Sequence, residues 1–255
     1  MEIIAHRGYS GITPENTITA FRTALQYHAD SVEFDVQLTA DRVPIIIHDY
    51  TLERTTNGFG LVREKTLSEL KLLDNGSWFN KEFEGEKIPT LSEGLEVLKE
   101  IPKHIYIEVK NAHLWENKDR ENLINMINIP LNKGGQGGSS IFSKCYVMSF
   151  DHNFIDKIRL MNKEIKIGYL VAKAEEYEET LLRAIAAKNA TIISRYNLLL
   201  ENEELIEKTR KENIDIVTWT VDDQEDWQKL IKLGIDRITT NKLITTNQQI
   251  LTTNR

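Results

Sequence analysis

The feature that most constrains this chain is the alternation of short β-like runs with amphipathic helical stretches, because strands separated by crossover helices pair in parallel. Eight such runs stand out: Glu2 to His6, Ser31 to Val36, Ile105 to Lys110, Tyr146 to Phe150, Lys166 to Val171, Thr191 to Arg195, Ile216 to Val221 and Arg237 to Thr240. Helical spacing fills segments 15–29, 91–100, 119–127, 153–161, 175–188, 201–212 and 223–233 between them. Eight parallel strands inside a ring of helices make a TIM (β/α)8 barrel of the α/β class, and 255 residues suit one such domain. The expectation is one catalytic domain over residues 1–255.

The second strand breaks the alternation. Ser31 to Thr39 is followed, after only Ala40 and Asp41, by a further β-like run, Arg42 to His48, which leaves no room for a helix. These runs predict an antiparallel hairpin. A two-residue loop sets Thr39 against Arg42 and Glu33 opposite His48, and a slip of one residue would reverse that facing. Residues 49 to about 90, with Phe59, Trp78, Phe79 and Phe83 and ending at Pro89, then read as a small lobe inserted after the second strand, over the barrel mouth. Thr13 and Pro14 before Glu15 place proline in the opening turn of the first helix. The tract from Gly134 to Gly138, preceded by Pro130, reads as a flexible loop and lacks the Lys and Ser/Thr ending of a phosphate-binding P-loop.

Charge and composition exclude several partners. A net charge of −7 argues against nucleic acid, whose binders carry a basic face. No window approaches the ~20 apolar residues of a membrane span, so no transmembrane segment is expected. The first apolar run meets Gly8 too early for a secretion signal, and the lone Cys145 permits no intrachain disulfide, so a cytoplasmic location is expected. An anionic substrate must then be held by local cations or a metal.

In such barrels the reacting groups sit at the C-terminal ends of the strands. The first strand ends in His6, Arg7 and Gly8: an imidazole suited to proton transfer, a guanidinium matched to phosphate oxygens, and a glycine that admits close backbone approach. Glu33 and Asp35 lie two apart, hence on one face of the second strand, and Glu108 and Lys110 repeat that spacing on the third. Three carboxylates turned inward repel one another unless a cation lies between them. Oxygen-only donors suit Mg²⁺ or Ca²⁺ rather than Zn²⁺, although a buried network with Arg7 and Lys110 satisfies the same spacing. His48, followed by Asp49, would supply a second imidazole. The two histidines would then flank a phosphodiester, one deprotonating the attacking hydroxyl and the other protonating the leaving alkoxide, with Arg7 and Lys110 on the phosphoryl oxygens. His28, His104, His113 and His152 are read as structural.

His6-Arg7-Gly8, Glu15-Asn16-Thr17, Glu33-Phe34-Asp35-Val36, His48-Asp49, Arg54-Thr55-Thr56-Asn57-Gly58, Gly85 to Leu91, Glu108-Val109-Lys110, Ser149-Phe150 and Trp219-Thr220-Val221 resemble, in order and spacing, the bacterial glycerophosphodiester phosphodiesterases. The resemblance implies a TIM barrel with an inserted lobe, and one Mg²⁺ or Ca²⁺ ion on Glu33, Asp35 and Glu108. It implies His6 and His48 as acid and base, Arg7 and Lys110 as phosphate contacts, and Trp219 packed against the alcohol portion of a small glycerophosphodiester substrate. Two positions depart from the pattern: Arg42 stands where the hairpin loop usually has glycine, and Asn241 stands where the last strand usually ends in aspartate. The expected reaction is hydrolysis to glycerol 3-phosphate and an alcohol. The alternatives are a lysophospholipase D-like phosphodiesterase, for which the aromatics of the insertion would supply an apolar patch, and a non-catalytic phosphoglycerol-binding protein.

Overall fold

Ser31–Leu38 and Ile105–Val109 are buried at every residue, so both faces of each strand are covered, and the alternating Ser31, Glu33, Asp35 and Gln37 mark an enclosed polar face rather than a solvated one. The computed structural model describes residues 1–128 and 141–243, and the Gly134 to Gly138 tract lies outside them. In chain order the first half contains β1 (Glu2–His6), α1 (Ile18–Gln26), β2 (Ser31–Leu38), β3 (Pro44–Ile46), α2 (Leu67–Leu70), α3 (Leu91–Leu98), β4 (Ile105–Val109) and α4 (Asn117–Ile127). The second contains β5 (Cys145–Ser149), α5 (His152–Met161), β6 (Lys166–Val171), α6 (Ala174–Ala187), β7 (Ala190–Arg195), α7 (Tyr196–Glu201), α8 (Glu204–Lys211), β8 (Asp215–Trp219), α9 (Gln224–Lys232) and β9 (Arg237–Thr240). The order β1-β9-β8-β7-β6-β5-β4-β2, with β1 also paired to β2, closes a parallel barrel. Outward side chains such as Phe34, Val147 and Ile192 pack under the helices, whereas Ile4, Tyr106, Met148, Leu170, Ile193 and Val217 fill the barrel interior. No described helix is long and apolar enough to cross a membrane.

The hairpin is real but shifted by one residue from the expected register. Val36 pairs with Ile46 and Leu38 with Pro44, and the Thr39 N–H donates to the Val43 carbonyl at 3.1 Å, leaving Ala40, Asp41 and Arg42 as a three-residue loop. Such loops end in a left-handed residue that matches strand twist, and Arg42 takes that place with φ 64°. No glycine marks the position, so the sequence concealed it. The Arg42 guanidinium is tied to the Asp119 carboxylate and lies 3.7 Å from Glu116. In this register His48 does not face Glu33. β3 ends at Ile46, the Ile47 N–H still donates to Asp35 O at 3.0 Å, and His48 reaches the mouth from the loop that follows. β3 can pair with the upper part of β2 because β1 ends at His6 and leaves that edge unpaired.

The first helix begins later than expected. Thr17 is its N-cap, with Oγ1 accepting from the Ala20 N–H at 3.1 Å, because Glu15 and Asn16 are committed to the mouth. Ile45 of β3 and Ile47 form a separate small apolar cluster with Leu52, Val62, Leu70 and Ile88 of residues 49–90.

The opposite end of the barrel is sealed by Glu2. Its Oε1 accepts from Ser31 Oγ (2.5 Å) and Tyr106 OH (3.1 Å) and lies 2.9 Å from His104 Nδ1, while Arg237 Nε lies 3.5 Å from Oε2. Replacing Glu2 with alanine leaves Arg237 and these donors without their buried acceptor. The expected loss is about 3 kcal/mol of unfolding free energy in a denaturant titration, with turnover of the folded protein retained. A loss below about 1 kcal/mol would show that solvent already satisfies this end.

Candidate active site

The mouth is built from the ends of β1, β2 and β4 and the loop after β3. After His6 the backbone turns sharply, with Arg7 at φ 55° and Gly8 at φ 77°. A Cβ on Gly8 would sit 2.6 Å from Ala20 Cβ, so glycine is required both by conformation and by the approach of α1. The turn is held by the Arg7 N–H donating to Glu33 Oε2 at 3.0 Å and by the Asn16 N–H donating to Arg7 O at 2.9 Å.

Glu33, Asp35 and Glu108 are buried, and one oxygen from each lies within 4.8 Å of the others. Parallel pairing sets Asp35 beside Glu108. Two cations face them. Lys110 Nζ lies 2.5 Å from Glu108 Oε1 and 3.2 Å from Asp35 Oδ1, and Arg7 Nε lies 3.3 Å from Asp35 Oδ2. The contacts to Asp35 Oδ1 and from Arg7 Nε are too oblique for hydrogen bonds, and both atoms are left unsatisfied. Burial, then repulsion from Asp35 and Glu108, raises the Glu33 carboxyl well above its usual range. Burial likewise raises Glu108, against the opposing pull of Lys110. Burial works against charge on Asp35 too, but Lys110 and Arg7 outweigh it and hold this carboxyl low. A close, oxygen-only donor set with an unsatisfied carboxylate oxygen fits a hard divalent cation.

Both imidazoles open on the same cavity of about 220 Å³. His6 Nδ1 lies 2.8 Å from Asn241 Oδ1, and Nε2 lies 3.9 Å from Glu33 Oε2. Burial, then the Arg7 guanidinium, pushes its pKa down to about 4, so the ring is neutral near pH 7. His48 is more exposed, and its Nδ1 lies 2.6 Å from Asp49 Oδ1. Arg54 ties this corner together, donating to both Asp49 oxygens and both Glu15 oxygens, while Glu15 accepts from Arg7 Nη1 at 2.7 Å. The far wall is apolar, formed by Met148, Phe150, Leu170, Ile193, Val217 and Trp219. The Trp219 indole N–H donates to Ile193 O at 3.2 Å, and its ring meets Phe150 edge-on at 5.7 Å.

All eight residues singled out from the sequence lie at this mouth: His6, Arg7, Glu33, His48, Glu108, Lys110 and Trp219 line the cavity, and Asp35 lies behind the two cations. Several residues carry the geometry without having been assigned a part: Glu15, Asn16, Asp49, Arg54, Asp222 and Asn241. Asp49, Asp222 and Asn241 share a signal, a polar side chain just beyond a strand's C-terminal end, whereas Glu15, Asn16 and Arg54 stand further along the loops after β1 and β3. His104 belongs to the opposite end, on Glu2, and His152 Nε2 lies 2.8 Å from Leu170 O.

Fold and mouth together define an α/β-barrel enzyme whose acidic, oxygen-only centre is flanked by two imidazoles and two cations. The model of the glycerophosphoryl diester phosphodiesterase family matches residues 6–245. A glycerophosphodiester phosphodiesterase of Caldanaerobacter subterraneus subsp. tengcongensis is 35% identical over 94% of this chain and 93% of its own length. Among solved structures, an Oleispira antarctica phosphodiesterase in complex with the product sn-glycerol-3-phosphate is similar with a TM-score of 0.82 at 28% identity, covering 94% of this chain and 93% of that one. A Thermotoga maritima glycerophosphodiester phosphodiesterase is similar with a TM-score of 0.75 at 28% identity over 97% of each chain. The chain belongs to the glycerophosphoryl diester phosphodiesterase family.

Proposed function

We propose that this protein hydrolyses small glycerophosphodiesters to glycerol 3-phosphate and an alcohol, with Mg²⁺ or Ca²⁺ held by Glu33, Asp35 and Glu108 and with His6 and His48 as base and acid. The observation that carries this reading is the opening of both imidazoles onto the cavity that also receives Glu33, Glu108, Arg7 and Lys110. When bound, the cation supplies Lewis-acid stabilisation of charge on the phosphoryl oxygens. Arg7 and Lys110 orient the phosphate by charge-assisted hydrogen bonds. His6, neutral and turned inward, takes at Nε2 the proton of the attacking oxygen, and water supplies the oxygen that the phosphate gains, whether it attacks directly or opens a cyclic glycerol phosphate. His48, backed by the Asp49 carboxylate, delivers a proton to the leaving alkoxide. Trp219 and the apolar wall exclude water and pack against the alcohol portion. Residues 1–255 act as one catalytic domain, with 49–90 as its inserted lobe.

A coupled assay for glycerol 3-phosphate with glycerophosphocholine and glycerophosphoethanolamine, in Mg²⁺, Ca²⁺ or EDTA, tests this reading. Product only with a divalent cation is expected, and its absence under every condition would overturn the reading. The same assay with lysophosphatidylcholine separates the lysophospholipase D-like alternative.

The raised Glu33 and Glu108 carboxyls also give a pH dependence. In the metal-free protein they retain protons above the usual carboxylate range, and a bound cation displaces them. Cation affinity is therefore expected to rise from about pH 6 to about pH 8, with protons released on binding. Titration calorimetry in two buffers of different ionisation enthalpy measures both. A pH-independent affinity with no proton release would show that the carboxylates are already ionised.

A further inference from the structure

Behind His6, on the side away from the cavity, lies a chain of hydrogen bonds whose polarity is fixed at one end. Asp222, in the turn between β8 and α9, accepts from the Asn241 backbone N–H at 2.8 Å and Thr240 Oγ1 at 2.9 Å through Oδ1. Its Oδ2 accepts from Asn241 Nδ2 at 2.7 Å. A carboxylate has no proton to give, so the nitrogen end of the Asn241 amide must face it. The oxygen end then faces His6 Nδ1 at 2.8 Å and Ser10 Oγ at 2.6 Å. An amide oxygen only accepts, so the His6 proton sits on Nδ1 and the Nε2 lone pair is left toward Glu33 and the cavity.

We infer that Asp222 and Asn241 are positioning residues that fix the His6 tautomer, with the Asp222 carboxylate acting through the Asn241 amide. The inference rests on His6 being the base of the proposed hydrolysis. The resemblance in sequence implies an aspartate at the position of Asn241, the residue whose side chain touches the ring in this structure. Here the carboxylate stands one side chain further back, on a different loop, and a neutral group touches the imidazole.

Asp222→Asn tests this by changing one atom. Oδ1 keeps its two donors, so the new amide nitrogen takes the place of Oδ2 and meets Asn241 Nδ2, a donor facing a donor. Asn241 relieves the conflict by flipping. Its nitrogen then donates to His6 Nδ1, the ring proton moves to Nε2, and the base has no lone pair to offer. The expected results are a switch of the His6 ¹⁵N signature from Nδ1–H to Nε2–H, assigned against His6→Gln, and a kcat lower by roughly 10²–10⁴-fold with KM little changed. The double variant Asp222→Asn/Asn241→Asp restores both hydrogen bonds with the carboxylate and amide exchanged. It should recover the wild-type tautomer and most of kcat.

An Nε2–H tautomer in the wild-type protein would overturn the inference without any variant. So would a folded Asp222→Asn protein with the wild-type tautomer and turnover, or a folded double variant no better than the single one. Melting of each variant separates loss of fold from loss of positioning. Because the tautomer is read without substrate, it judges the relay even if the wild-type protein releases no glycerol 3-phosphate, a result that would instead count against the proposed hydrolysis.

Discussion

Glu108→Gln is expected to reduce glycerophosphodiester hydrolysis by about 10³-fold or more, because it removes one of the three carboxylates proposed to hold the cation. The side chain keeps its length and its place beside Lys110, so the loss is one of charge rather than packing. Stability should move the other way. In the metal-free protein the three buried carboxylates outnumber the Lys110 and Arg7 cations that face them, and neutralising one relieves the repulsion that helps to raise Glu33. Melting in EDTA should be unchanged or higher, and the stabilisation that wild type gains from added Mg²⁺ or Ca²⁺ should be lost. Wild-type turnover in this variant, with an unaltered response to metal, would remove Glu108 from the centre.

The second large effect separates the two imidazoles. His6→Ala and His48→Ala should each lower kcat by roughly 10²–10⁴-fold while leaving cation affinity nearly unchanged. A diester with a nitrophenolate leaving group distinguishes them, because such a group departs without being protonated. His48→Ala should then recover most of its loss and His6→Ala should not. The reverse pattern would exchange their roles, and unchanged kcat in both variants would favour the phosphoglycerol-binding alternative.

The alternation of strands and helices exposed the barrel because every barrel strand leads into a helix before the next one begins, the second doing so only after the hairpin and the inserted residues. Spacing of two exposed the acidic triad, since Glu33 with Asp35 and Glu108 with Lys110 need only the period of a strand to share a face. The hairpin register was less legible. It depends on Arg42 adopting a left-handed conformation that glycine usually marks, and the ion pair to Asp119 that accompanies it joins residues 77 apart in sequence. The error did not cost the site its second imidazole, because His48 sits beyond the paired residues and is directed by Asp49 and Arg54 rather than by strand facing. Asn241 was visible only as a missing carboxylate. That Asp222 stands behind it depends on β8 and β9 lying side by side, which no local pattern reveals.

One divalent cation on Glu33, Asp35 and Glu108 and a phosphate between His6 and His48 are expected to share one mouth. A crystal structure with Ca²⁺ and glycerol 3-phosphate, with the ion located by its anomalous signal, tests this most directly. The expected result is calcium bound by oxygens of all three carboxylates at about 2.3–2.6 Å, with the phosphate touching Arg7 and Lys110 between the two imidazoles. Calcium held elsewhere, or a phosphate turned away from both histidines, would contradict it.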